Sequence, residues 1–283
     1  MNVTLPYLPN RPGKPRTSGL TMVMDKGLSL NETANFIEKA EEYTDLVKLG
    51  FGTSVFSPKL KEKIKLYKAA GMMPYLGGTL FEAFAVRNMI SDYLRFVDSI
   101  GLDMCEISDG SMAMEHDTKL ECIMQISKFF TVVSEVGSKQ KDVIIPEDKW
   151  VKMMLLELSA GSWKVIAEAR ESGNVGIYNS DESANTSLIN SIVNNIDTND
   201  ILWEAPIKKQ QVWFIKQYGP NVNLGNIAPD ELISLECLRQ GLRGDTFSDF
   251  IPPSEIHSKP QINSWMASNN YNLINKYKFE FEI

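Results

Sequence analysis

Histidine is nearly absent from this chain of 283 residues, which holds only His116 and His257. A histidine-rich metal centre or a nucleophile–histidine–acid arrangement has almost nothing to draw on. Proton transfer falls to Lys, Glu, Asp or Tyr, and any metal is expected to be a hard cation held by oxygen. Cysteine is also scarce: Cys105, Cys122 and Cys237 form no close pair. That argues against a disulfide framework and against a thiolate zinc site. Cys105 and Cys122 read as buried fillers. No apolar run reaches the length of a membrane span. The opening stretch Met1–Arg16 carries Pro6, Pro9, Pro12 and Pro15 and resembles neither a signal peptide nor an anchor. The expected compartment is the cytoplasm, with no membrane partner. A GxGxxG turn between a strand and a helix is lacking, so a dinucleotide fold gains no support. Basic excess is lacking too. The net charge of −7 disfavours nucleic-acid binding but leaves small anionic substrates open, because local fields outweigh the total.

What is present is an alternation. Short apolar runs rich in β-formers alternate with helix-period stretches from Leu20 to about Gly241. Strands are expected at Leu20–Met24, Asp45–Leu49, Met73–Leu76, Met104–Ile107, Thr131–Glu135, Lys164–Glu168, Ile201–Glu204 and Val222–Leu224. A helix follows each one. The first opens with capping-box spacing at Ser29 and Glu32, and Phe81–Ile100 reads as mostly helical. Eight strand–helix units are the number that closes a parallel barrel. The strands are mostly apolar rather than alternating, as expected when both faces are buried. The expected fold is α/β, a (β/α)8 TIM barrel forming a single domain over residues 18–251. An arm precedes it at 1–17, and an extension follows at 252–283 with a strand-like end at Tyr277–Phe281. A doubly wound open sheet is the structural alternative. The extension also suggests a homo-oligomer.

Active sites of such barrels lie at the carboxyl ends of the strands. Those ends carry Asp25-Lys26, Lys48, Gly77-Gly78, Glu106 with Asp109, Glu135, Glu168 with Arg170, Glu204 and Asn226. Charged and amide groups bunched beside small residues point to one charged site. The same segments carry a family resemblance: LTMVMDKG from Leu20, KLGFGTS from Lys48, GGTLFE from Gly77, EISDGS from Glu106 and EVGSK from Glu135. EARESG from Glu168, EAPIKKQQ from Glu204, VNLGNI from Val222 and SLECLRQGLRGDTF from Ser234 continue it. The chain from about Arg16 to Phe250 resembles phosphosulfolactate synthase, a family to which plant heat-stress-associated proteins are also similar. Ser138, Ala169 and Gln240 depart from the family pattern, replacing a lysine, a glycine and an arginine.

The resemblance implies a carbon–sulfur lyase working in the synthetic direction. The implied reaction is Mg2+-dependent attack of sulfite on carbon 3 of phosphoenolpyruvate, giving (2R)-phospho-3-sulfolactate. Its implied catalytic lysine is Lys139, expected to donate the proton, with Glu135 beside it. Glu106, Asp109 and Glu135 are the expected magnesium ligands, directly or through water. The other reading of Glu106 and Glu135 is pairing with a strand-end lysine. Lys26, Lys48, Arg170, Arg239, Arg243 and Gly244 are the expected anion binders, since guanidinium groups form paired bonds to tetrahedral oxyanions. Internal salt bridges are the alternative for Lys26 and Lys48, and a surface cation is the alternative for Arg239. Two other functions stay open: a non-catalytic stress or interaction protein on the same barrel, and a Mg2+-dependent lyase for another enol phosphate or phosphorylated acid.

Overall fold

The computed structural model describes residues 3–137, 145–170 and 172–257. Eight parallel strands close a barrel in sequence order. They are β1 (Thr21–Asp25), β2 (Leu46–Leu49), β3 (Met73–Leu76) and β4 (Met104–Ile107), then β5 (Thr131–Val136), β6 (Lys164–Ala167), β7 (Ile201–Glu204) and β8 (Leu224–Ile227). The helices around it begin with α1 (Leu30–Ala40), α2 (Thr53–Phe56), α3 (Leu60–Ala69), α4 (Gly78–Ala85), α5 (Ile90–Ser99) and α6 (His116–Ile126). They continue with α7 (Glu147–Ala160), α8 (Thr186–Val193), α9 (Lys208–Tyr218) and α10 (Leu232–Arg239). Contacts divide the chain into Met1–Phe250 and Ile251–Ile283, and the second unit contains the short helix α11 (Pro253–Ile256). The expected strand at Tyr277–Phe281 lies outside the described residues. Among those described, no helix is long and apolar enough to cross a membrane.

The expected capping box forms: Ser29 accepts from Glu32 N, and Glu32 accepts from Ser29 N. Two elements differ from expectation. The long helix over Phe81–Ile100 is broken into α4 and α5, with Asn88 between them in the left-handed region at φ 57°. Asparagine tolerates that conformation better than most residues. The eighth strand sits later than Val222–Leu224, and the β1–β8 pairing shifts register between Thr21 and Val23. Gly225 in β8 faces Met22 and Leu202 so closely that a Cβ there would displace the end of the Met22 side chain and press on Leu202. A glycine-containing strand carries a weak β signal.

Side chains in a strand alternate between two faces. Here one face points into the barrel. Met22, Leu46, Tyr75, Met104, Val133, Ile166 and Leu202 form a dry interior tier, all buried. The opposite face packs under the helices in the larger core, with Val23, Val47, Cys105, Val132, Val165 and Trp203 among its members. Two residues beyond each member of the interior tier, the same alternation brings Met24, Lys48, Gly77, Glu106, Glu135, Glu168 and Glu204 to the carboxyl mouth. The apolar floor and the charged tier above it thus follow from one period of two.

The arm is tied to the amino end of the barrel. Arg11 bonds Glu236, Asn221 and the carbonyls of Pro220 and Gly19. Lys14 Nζ lies 2.7 Å from the carbonyls of Glu41 and Thr44 and 3.2 Å from that of Ala70, beyond the ends of α1 and α3. A cation there complements the negative helix ends.

Candidate active site at the barrel mouth

Lys48 is the hub of the mouth. Its Nζ lies 3.0 Å from Glu106 Oε2, 3.1 Å from Glu135 Oε2 and 3.3 Å from Glu204 Oε1. Burial alone would favour the neutral amine, but Glu106, Glu135 and Glu204 outweigh it and hold the pKa well above that of an ordinary lysine. Lys48 is thus locked against three strand-end carboxylates. It is also an internal salt bridge, the alternative weighed from sequence.

Glu135, Glu168 and Glu204 are buried, and one oxygen of each lies within 4.8 Å of the others. Glu204 is held further by accepting from Ala169 N at 3.0 Å. Glu106 accepts from Gly78 N at 2.7 Å, at the start of α4. Among the described residues, Lys48 thus bridges three of these buried carboxylates, and Glu168 stands beside Glu135 and Glu204. The clustered oxygens of Glu135, Glu168 and Glu204 are hard donors of the kind that could hold a divalent cation such as Mg2+. Below them the Tyr75 hydroxyl is fully buried, and burial followed by the Glu106 carboxylate pushes its pKa far up.

The cavity above has a volume of about 560 Å3. Besides the acids and Lys48, its walls include Thr79, Ser111, Arg170, Ser172, Asn174 and Asn226. Glu82 of α4 shapes one wall by accepting from Ser108 Oγ at 2.5 Å and Ser111 N at 2.6 Å. Gln210 of α9 shapes another, donating to the Gly173 carbonyl at 2.7 Å. Gly78 has no room for a side chain, because a Cβ would run into Ser108 Oγ and Glu106 Oε1. Gly78→Ala is expected to lower stability by about 1–3 kcal/mol, measured by denaturant unfolding.

The expected site residues separate into groups. Lys48, Glu135 and Arg170 line the cavity, and Glu106 stands against Lys48. Asp109 turns elsewhere, to Lys119 Nζ at 2.9 Å. Lys26 is exposed and borders a separate hollow with Ser29, Thr53 and Lys59. Arg243 and Gly244 are not part of the cavity wall; Arg243 lies 3.6 Å from Asp245, which also binds Lys208. Lys139 and Ser138 lie outside the described residues.

Arg239 requires correction. It is neither an anion binder nor a surface cation: it is 0% exposed and donates to the carbonyls of Pro220, Val222 and Leu20 at the amino end of the barrel. Gln240, where the family pattern has arginine, sits there too and donates to Glu236. Its substitution removes no charge from the mouth. Ala169 is at the mouth, but its contacts to Glu204 and Asn226 are made by its backbone.

Glu168 and Glu204 were visible as strand-end acids but were assigned no role from sequence. The signal that identifies them is their position, two residues beyond the interior residues Ile166 and Leu202.

Residues 9–245 match the family model described as (2R)-phospho-3-sulfolactate synthase (ComA). The chain belongs to the phosphosulfolactate synthase family. It is 40% identical over 244 residues to the phosphosulfolactate synthase of Methanothermobacter thermautotrophicus, covering 84% of this chain and 95% of that protein. It is 39% identical over 243 residues to that of Bacillus subtilis, covering 85% and 96%. The Arabidopsis thaliana protein named HEAT-STRESS-ASSOCIATED 32 is more distant, 23% identical over 261 residues, with 81% and 88% covered. Membership in the family makes this chain a carbon–sulfur lyase of the phosphosulfolactate synthase type. Among solved structures, the YdjI aldolase of Escherichia coli matches with a TM-score of 0.50 and 9% identity, over 79% of this chain and 86% of that one. That likeness shows the barrel fold alone.

Proposed function

We propose that the protein catalyses the Mg2+-dependent addition of sulfite to phosphoenolpyruvate in the cytoplasm, giving (2R)-phospho-3-sulfolactate. The observation that carries this reading is the buried group Glu135, Glu168 and Glu204 beside Lys48, on the floor of a cavity in a chain of this family. Those three carboxylates would hold the ion. Bound there, it would act as a Lewis acid toward the substrate carboxylate.

The residues of the chain supply the rest. Lys48 keeps Glu106, Glu135 and Glu204 in register and offsets part of their repulsion. Arg170, Thr79 and Ser111 offer donors to the phosphate and sulfite oxygens from the cavity wall. The sulfite lone pair forms the new bond to carbon 3, and the π electrons move toward carbon 2 and the carboxylate. A proton delivered to carbon 2 completes the addition, and nothing leaves. Lys139 is the proposed proton donor, on the strength of the family resemblance. Lys139→Ala is expected to cut turnover about 10²-fold; an unchanged rate removes it from the mechanism.

The direct test is incubation of the purified protein with phosphoenolpyruvate, sulfite and Mg2+, read by mass spectrometry. Phosphosulfolactate is the expected product, absent when sulfite is omitted. No product under these conditions refutes the proposal, and turnover of a different enol phosphate in its place would redirect it.

A further inference from the structure

Lys119, in the first turn of α6, is fully buried beside the site yet lines no part of the cavity. Its ammonium has three N–H bonds, and each finds an acceptor. Nζ lies 2.9 Å from Asp109 Oδ1, 2.8 Å from Glu157 Oε1 and 2.6 Å from the main-chain oxygen of Glu135. Glu157, from α7, is fully buried and is touched from outside by His116 Nε2 at 3.2 Å. Burial opposes the charge on Lys119, but Glu157 and Asp109 overcome it and raise the pKa.

The contact to Glu135 fills a gap in the sheet. Trp163 N donates to Val132 O and Glu168 N to Val136 O, so even-numbered carbonyls of β5 face β6. The Glu135 carbonyl therefore faces β4, as ladder alternation requires. But β4 ends at Ile107, paired with Ser134, and the chain turns away as the Ser108–Ser111 loop. Lys119 supplies the donor that a longer β4 would have given. Its second bond holds Asp109 of that same loop, which carries Ser111 to the cavity.

Stability does not account for this arrangement. Burying one cation with two carboxylates costs several kcal/mol of desolvation, and apolar residues of similar size often serve as well. A cation in the first turn also opposes the helix dipole. What the network achieves is location, since it joins two mouth segments to α6 and α7.

We propose that Lys119 is a positioning residue for the reaction: it fixes the tip of β5, and with it the Glu135 carboxylate, against the loop that carries Ser111. This rests on the reading of Glu135 as a cation ligand.

Lys119→Met alone would strand two buried carboxylates, so the test uses the charge-balanced double variant Lys119→Met/Glu157→Gln. Mn2+ serves as the probe, with affinity read by electron paramagnetic resonance. In the double variant Mn2+ affinity is expected to weaken about 10–100-fold and kcat to fall by a similar factor. KM for phosphoenolpyruvate should rise only about threefold, because Ser111 lies on the loosened loop while the other wall donors, Thr79 and Arg170, are untouched. Amide exchange should quicken at residues 107–111 and 135–137 but not at the base of the barrel. A folded double variant with kcat and Mn2+ affinity within about twofold of the parent, and unchanged exchange, overturns the proposal. If the double variant does not fold, Asp109→Asn, which keeps Lys119 paired with Glu157, is read in the same way. Should the parent protein itself neither bind Mn2+ nor form product, the reading of the site fails. The exchange comparison then decides the matter for Lys119: quicker exchange at those residues supports it, and none overturns it.

Discussion

Glu135→Gln is expected to leave the barrel folded and to lower sulfite addition by about 10³-fold, the equivalent of roughly 4 kcal/mol of transition-state stabilisation. The amide keeps the size and shape of the side chain but removes one of the three charges that would hold the cation. Lys48 remains restrained by Glu106 and Glu204, so the neighbouring geometry should survive. Part of the loss should be recovered at high Mg2+, because weakened cation binding is concentration-dependent, whereas a lost proton donor is not. Chelation of the parent enzyme should abolish turnover, and added Mg2+ should restore it. A Glu135→Gln protein with parental Mg2+ dependence and rate would place the cation site away from this triad.

Arg239→Met is expected to act on the opposite quantity. The guanidinium ties together the carbonyls of Pro220, Val222 and Leu20, where β1 and β8 begin, and no water reaches it. Methionine fills much of the volume but donates nothing; Pro220 O keeps Arg11 and Leu20 O keeps Leu224 N, so the loss falls on the buried Val222 carbonyl, at about 1–3 kcal/mol. The expected loss is about 1–3 kcal/mol, which in a chain of this size lowers the melting temperature by roughly 2–12 °C. Below that temperature, kcat and KM should match the parent. If thermal stability were unchanged and KM for phosphoenolpyruvate rose tenfold or more, Arg239 would return to the list of anion binders.

The contrast between Glu135 and Arg239 shows what sequence could and could not reveal. Strands are short and apolar here because both their faces are buried, so eight of them could be counted directly, and barrel closure fixes which end bears the site. Strand-end residues such as Lys48 and Glu135 were legible for that reason. Arg239 was not, because its destination depends on where α10 returns the chain. A helix of eight residues spans about 12 Å, enough to bring its last residue to the floor rather than the mouth. Asp109 was misleading in a different way. It sits in a loop rich in motif residues, but its partner Lys119 is ten positions on and reaches it only through the turn into α6. The division of labour among the acids was also hidden. Glu168 and Glu204 lie in separate motifs, and it is the pairing of β5, β6 and β7 side by side in the closed ring that brings them within reach of Glu135.

That closure has a consequence for how such an enzyme can change. Lys48, Glu106, Glu135, Glu168 and Glu204 each stand one pleat above an apolar neighbour on the same strand, so the groups that do chemistry are not the groups that fill the interior. A single replacement in the upper ring can therefore alter charge or reach without leaving a void beneath it. Inserting one residue into any of these strands would do the reverse, turning an acid outward to the helices and an aliphatic side chain toward the substrate. The scaffold is tolerant of new side chains and intolerant of new lengths.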